Sequence, residues 1–217
     1  MSDIFREVDE EVRRERLKRL WDRYGYLLIA LAVLIVAGVG GWRANQWWEA
    51  KKAAEAGAAF ASAATLAEQG KHEEAEAAFA KLTAGNSATY RMLAKFREAV
   101  EATHRDPKAA VAIYDQLAAD GSVGRVLQDL AAVRAGMLLV DTATYDELLR
   151  RLETLTASGR TFRHSARAAL ALSAWRADDA AAMRRWSDMA LADPETPANT
   201  RGQIEMLLAL SDASKKS

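Results

Sequence analysis

The chain has 217 residues, with 30 Lys and Arg against 30 Asp and Glu, three prolines and no cysteine. Without cysteine there is no disulfide framework, thiolate metal centre or cysteine nucleophile. The even charge balance carries no electrostatic footprint for nucleic acid. Alanine fills 47 positions. It is the strongest helix former and has a minimal side chain, so the composition predicts an all-α protein of closely packed helices. No alternating Val/Ile/Thr run announces a sheet, and an apolar half of the residues excludes wholesale disorder.

Residues 1–23 form a charged N-terminal tail. Ile4, Val8 and Val12, then Leu17, Leu20, Trp21 and Tyr24, recur at spacings of three or four. That periodicity fits an amphipathic helix lying near lipid headgroups, and equally a helical extension of the segment that follows. Tyr24 to Trp42 (YGYLLIALAVLIVAGVGGW) holds no charged residue. At about 1.5 Å per residue these positions span about 28 Å, close to the hydrocarbon thickness of a bilayer. Residues 24–42 are therefore predicted to form a single transmembrane helix. Tyr24 and Tyr26 at one end, with Trp42, Trp47 and Trp48 at the other, fit interfacial aromatic belts.

Seven basic residues (Arg6, Arg13, Arg14, Arg16, Lys18, Arg19, Arg23) precede the span, and three (Arg43, Lys51, Lys52) fall in the next 20 residues. This bias predicts a cytoplasmic N-terminus and a C-terminal domain, residues 43–217, across the membrane. The long, acid-containing region before the span and the bulky indoles after it favour an uncleaved anchor over a secretory signal. Within the span, Ala37 and Gly41 make a small-xxx-small pair at which a second membrane helix could pack closely.

Beyond the span, helical stretches alternate with short breaks at 69–71, 85–87, 104–107, 120–122, 141–142, 158–159, 177–179 and 193–194. Asp106-Pro107 reads as an N-cap with proline in the first helical position, and Thr144 with Glu147 as a capping box. Gly70, Gly85, Gly121 and Gly159 are placed to end helices in the left-handed conformation. About nine helices of roughly 12–20 residues are expected. A small–large–apolar triplet recurs as Ala75/Phe79/Leu82, Ala110/Tyr114/Leu117, Leu148/Leu152/Leu155 and Ala182/Trp186/Met189. Its first members are separated by 35, 38 and 34 residues. This resembles the tetratricopeptide repeat, with its period near 34 and its Ala-x3-Phe core. The first-helix Trp, Gly and Tyr positions of that repeat are mostly unfilled. The expected fold is a TPR-like α-solenoid of about four helical hairpins plus a closing helix over about 199–213, with an irregular helical bundle as the alternative.

Leu17-Lys18-Arg19-Leu20-Trp21, Tyr24-Gly25, the apolar run and Gly41-Trp42-Arg43, taken in order, resemble the start of the YfgM-like family, the ancillary subunits of the SecYEG translocon. The likeness is nearest over about 17–60. The stretch AWRADDAAAMRRWSDMALADPETP also resembles the closing TPR-like unit of such bacterial proteins. The resemblance implies a single-pass protein of the bacterial inner membrane with a periplasmic TPR-like domain. It further implies that the protein stands beside the SecYEG translocon and passes exported polypeptides to chaperones, with a PpiD-type peptidyl-prolyl isomerase as partner.

The residues themselves offer no catalytic constellation. His72, His104 and His164 are scattered along the chain without metal-ligand spacing, and no phosphate loop, dinucleotide fingerprint or nucleophile elbow occurs. The chain is therefore read as non-enzymatic, with no cofactor, metal or small-molecule substrate, and with proteins and membrane lipid as its partners. If the first helix of each hairpin lines a groove, Met92, Lys95, Val133, Met137, Arg167 and Trp175 fall on that face. The competing reading makes them core residues at helical spacing. Two other functions stay open: a scaffold for a cell-wall or outer-membrane complex, and a regulator acting through the cytoplasmic tail.

Overall fold

A computed structural model describes residues 3–85 and 87–214, with the side chains of 3–17, 19, 20 and 214 outside the description. The proposed apolar face of Ile4, Val8, Val12, Leu17 and Leu20 lies among those side chains, and Asn86 of the second break also lies outside the described residues. The chain separates into two compact units, Met1–Ala54 and Glu55–Ser217.

Among the described residues every regular element is helical. α1 (Asp3–Glu68) is one uninterrupted helix of 66 residues. Then follow α2 (His72–Thr83), α3 (Ala88–Ala102), α4 (Pro107–Ala119), a 3-10 turn η1 (Gly121–Val123) and α5 (Arg125–Leu139). After these come α6 (Tyr145–Leu152), a second 3-10 turn η2 (Glu153–Thr156), α7 (Arg163–Arg176), α8 (Ala180–Leu191) and α9 (Ala198–Ser214). The chain is thus nearly all helix, an α-solenoid preceded by one long N-terminal helix whose apolar stretch is long enough to cross a membrane.

In the first unit the apolar stretch of α1 keeps its side chains bare, from Leu27 to Val39. Leu34 and Val36 are 70% and 71% exposed. So large a continuous apolar surface is unfavourable in water and favourable in hydrocarbon. A Cβ built on Gly38, Gly40 or Gly41 meets nothing within 4 Å. Within the first unit's described residues, nothing covers Ala37 or Gly41.

In the second unit several breaks carry a side-chain cap that starts the next helix. Asp106 accepts a hydrogen bond from the Lys108 amide, with Pro107 in the first turn. Thr144 and Glu147 form the reciprocal capping box. Asp179 accepts from the Ala182 amide. The glycines behave differently from expectation. Gly70 has a left-handed φ of 76°, but Gly85, Gly121 and Gly159 do not. The other positive values belong to Gly124 (81°), which starts α5, and Asp178 (56°), which follows α7. Helix lengths also depart from expectation: α6 has only eight residues and tightens into η2, so Leu155 sits on a 3-10 turn.

Three clusters of buried side chains fill the solenoid, each with one aromatic residue of the repeat. Phe79 packs with Ala63, Ala75 and Ala94 at the junction of α1, α2 and α3. Tyr114 packs with Ala99, Leu117, Ala131 and Ala135 between α3, α4 and α5. Trp186 packs with Leu148, Leu152, Leu170 and Met183 in the largest cluster, which α5–α9 build together. Alanines on the facing helices let the backbones approach, and one large ring fills the gap that remains.

The fourth triplet is out of register. Ala182 is half-buried and Met189 exposed, while Met183, Ser187 and Ala190 are buried. Counted from the caps Lys71, Asp106 and Thr144, the inward residues occupy the fourth, eighth and eleventh positions. Met183, Ser187 and Ala190 occupy those same positions after Asp179. Trp186 therefore enters the core one residue before the place that Phe79 and Tyr114 take.

Close helix approach depends on glycine at two places. A Cβ on Gly57 would stand 2.7 Å from the Tyr90 hydroxyl oxygen. A Cβ on Gly136 of α5 would stand 2.8 Å from Leu152 Cδ2 of α6, and Leu152 is fully buried. Gly136→Val is expected to destabilise the domain by about 1–3 kcal/mol through overpacking. Urea unfolding of the full chain in detergent, followed by circular dichroism, measures this. An unchanged midpoint would show that α5 and α6 separate freely.

Candidate functional site

Among the described residues, two of the grooves on the helical domain share no lining residue. The first, about 580 Å³, runs between the C-terminal end of α5, one face of α7 and one face of α9. Its apolar wall is Met137, Leu172, Trp175, Met206 and Leu210, with Leu172 and Trp175 the least exposed of the five. Asn199, Thr200 and Gln203 supply polar groups at one side. The second, about 640 Å³, lies among α2, α3, α4 and η1 and is more polar, with Thr83, Met92, Lys95, Asp120 and Ser122 on its walls.

The six residues expected on one face thus fall in three places. Met137 and Trp175 line the apolar groove, and Met92 and Lys95 line the polar one. Val133 and Arg167 are buried, 2% and 5% exposed, and belong to no free surface. Val133 joins the large core cluster. Arg167 turns inward because four hydrogen bonds await it there. Its Nε and Nη2 donate to the Thr156 carbonyl at 3.1 and 2.8 Å. Its Nη1 donates to the Met189 carbonyl at 3.0 Å and to Asp193 Oδ2 at 2.9 Å. Met206 and Leu210 were not among the expected residues. Their side chains alternate with buried Ile204 and Leu207 on α9, a pattern that reads in sequence as an ordinary closing helix.

The Asp193 carboxylate gathers a charged network. Arg163 Nε donates to Asp193 Oδ2 at 2.7 Å, and Arg163 Nη2 reaches both Asp193 and Glu195. The Arg163 guanidinium holds Asp193 well below the usual carboxylate range, and the two carboxylates in turn raise Arg163. Thr196 Oγ1 donates to the Ala190 carbonyl at 2.6 Å, so His164 Nδ1, 2.9 Å away, is the donor to that hydroxyl. Burial lowers the His164 pKa, and Arg163 and Arg167 push it the same way against Asp193 and Glu195. Both Asp193 oxygens accept from guanidiniums and His164 Nδ1 is committed to Thr196, so the His164/Asp193/Glu195 group leaves a cation neither of those ligands.

His164 binds its proton less readily in the folded chain than at its ordinary value of 6.5, so its contribution to stability is complete above that value and is lost as pH falls. Asp193 adds a further loss below its ordinary 3.8. The unfolding midpoint is expected to drop from about pH 7.5 to about pH 5.5, and less steeply in His164→Asn. Equal slopes in the two proteins would remove His164 as the cause. Glu98, raised by burial, acts in the opposite direction near its own range, so the comparison with the variant carries the test.

The histidines are less scattered in space than in sequence. His72 opens α2 and His104 lies in the turn after α3, and their side chains meet. Their rings stack with centroids 3.6 Å apart and planes within 9°. His72 Nδ1 lies 2.8 Å from Glu101 Oε2. Their separation of 32 residues, close to the repeat period, was the available signal.

Residues 18–171 match the tetratricopeptide repeat-like domain family, which is more than half of the chain. The chain belongs to that family. Comparison with curated proteins and with solved structures returns no match. The family match starts before the apolar run and ends in α7, whereas the packed helices continue through α8 and α9. Domains of this kind serve as surfaces for protein–protein interaction, and the apolar groove lies on this one.

Proposed function

We propose that this chain is a non-enzymatic, membrane-anchored adaptor whose TPR-like domain binds polypeptide partners. The observation that carries the reading is the apolar groove of Met137, Leu172, Trp175, Met206 and Leu210 on a repeat domain that follows a bare apolar helix. Thioethers and a half-exposed indole adapt to varied apolar side chains without demanding one sequence. In its finer form, the adaptor sits in a bacterial inner membrane with its N-terminus in the cytoplasm. It assists the Sec translocon and hands exported polypeptides to a PpiD-type isomerase and other chaperones. The likeness of residues 17–60 to the YfgM-like family and the Lys/Arg bias across the apolar run support this form.

Photo-crosslinkers at Trp175 and Met206 in intact membranes are expected to capture translocon subunits, the isomerase or exported chains. Capture of cell-wall or outer-membrane assembly components alone would replace the finer form with the scaffold reading. Capture of no protein from either groove position would overturn the adaptor reading. Protease added outside spheroplasts should digest the helical domain, and a protected domain would reverse the orientation.

A further inference from the structure

We propose that His72, Glu101 and His104 form a binding site for a divalent transition-metal ion, with zinc as the occupant that the ligand set selects. The three residues each offer one ligand atom, and these atoms lie within 4.8 Å of one another. Two imidazole nitrogens and one carboxylate oxygen, with a side open to water, are a recurrent zinc environment. Nitrogen-rich sets of this kind disfavour magnesium and calcium, which take oxygen ligands.

The surroundings divide the work between a fixed ligand and two adjustable ones. Glu101 is 3% exposed, and its second oxygen accepts from Arg97 Nη2 at 3.1 Å, which orients the carboxylate as outer partners of metal ligands do. His72 is half-exposed at the first residue of α2, and His104 is exposed on the turn before α4. Zinc bonds of about 2.1 Å place tetrahedral ligand atoms about 3.4 Å apart. The imidazoles must therefore leave their parallel stack and turn their nitrogens inward, which rotation about exposed side-chain bonds allows. The neighbouring positive charge of Arg105 is already paired with Glu76 at 2.7 Å. An ion held here would tie the start of α2 to the turn between α3 and α4, clamping one hairpin to the next.

The proposal does not depend on what the apolar groove binds. Its test is titration of zinc chloride into the tag-free, EDTA-stripped full chain in detergent, followed by isothermal calorimetry. One ion per chain is expected, with binding weakened at least about tenfold in His104→Ala and in His72→Ala. Circular dichroism must show both variants folded, and if His72→Ala is not, His72→Asn replaces it. Cobalt provides a second readout: intense visible bands of a four-coordinate nitrogen-and-oxygen site in the parent chain, absent in His104→Ala. No saturable zinc binding overturns the proposal, and so does stoichiometric binding that both histidine substitutions leave unchanged.

Discussion

Trp186→Ala is expected to lower the stability of the helical domain by about 3–5 kcal/mol, the range for emptying a large aromatic from a packed core. Trp186 is 1% exposed and stands among Leu148, Leu152, Leu170 and Met183, which come from two other helices, α6 and α7, and from its own. Nothing on α6 or α7 can follow the shrinking side chain without breaking its own packing, so the void remains. The ring also donates from Nε1 to the Tyr145 hydroxyl at 2.8 Å. Trp186→Phe keeps most of the volume and loses the donor, and should fall short of the alanine variant by a clear margin. At this domain size the alanine change amounts to a thermal midpoint shift of about 10 °C. Circular dichroism of the full chain in detergent reads it. Equal midpoints for Trp186→Ala and the parent would mean that this residue does not organise the cluster.

Arg167→Ala is the second large effect, about 3 kcal/mol from the charged hydrogen bonds to the Thr156 and Met189 carbonyls alone. Those carbonyls end η2 and lie near the end of α8, and Arg167 on α7 joins them. Its removal leaves buried acceptors without their donor, which is the costly half of a broken hydrogen bond. Arg167→Lys should not restore the parent, because a single ammonium cannot reach two carbonyls and a carboxylate in the fork geometry. Parent-like stability in Arg167→Lys would show that charge, not the planar fork, holds this junction. A groove residue would behave otherwise: its loss should weaken partner capture and leave unfolding nearly unchanged, as expected for Met206→Ser, since Met206 is 66% exposed.

Much of this architecture was legible in advance because its signals are local. Asp106-Pro107 and the Thr144/Glu147 box set helix starts with neighbours a few residues away, and the structure carries both. The expected breaks fall between the α-helices, with 120–122 running into the 3-10 turn η1 and Asn86 outside the described residues. The apolar run needs no partner to be recognised, since composition alone separates it from the rest. The glycines were less legible. Whether a glycine must take positive φ depends on the path of the chain beyond it, and only Gly70 of the four expected positions does so.

Helix positions, the repeat spacing and a hydrocarbon-length apolar run are thus written in the one-dimensional pattern, because caps and periodicity act within a turn or two of the chain. Which face of a helix turns inward is not. Arg167 and Trp175 lie eight residues apart on α7, yet one is sealed against carbonyls and the other borders an open groove. Met183 displaces Ala182 from the core, and His72 stacks on His104, only through the way neighbouring hairpins lean together. Those outcomes belong to the tertiary structure, since burial and side-chain pairing are decided by surfaces that the chain brings together only when it packs.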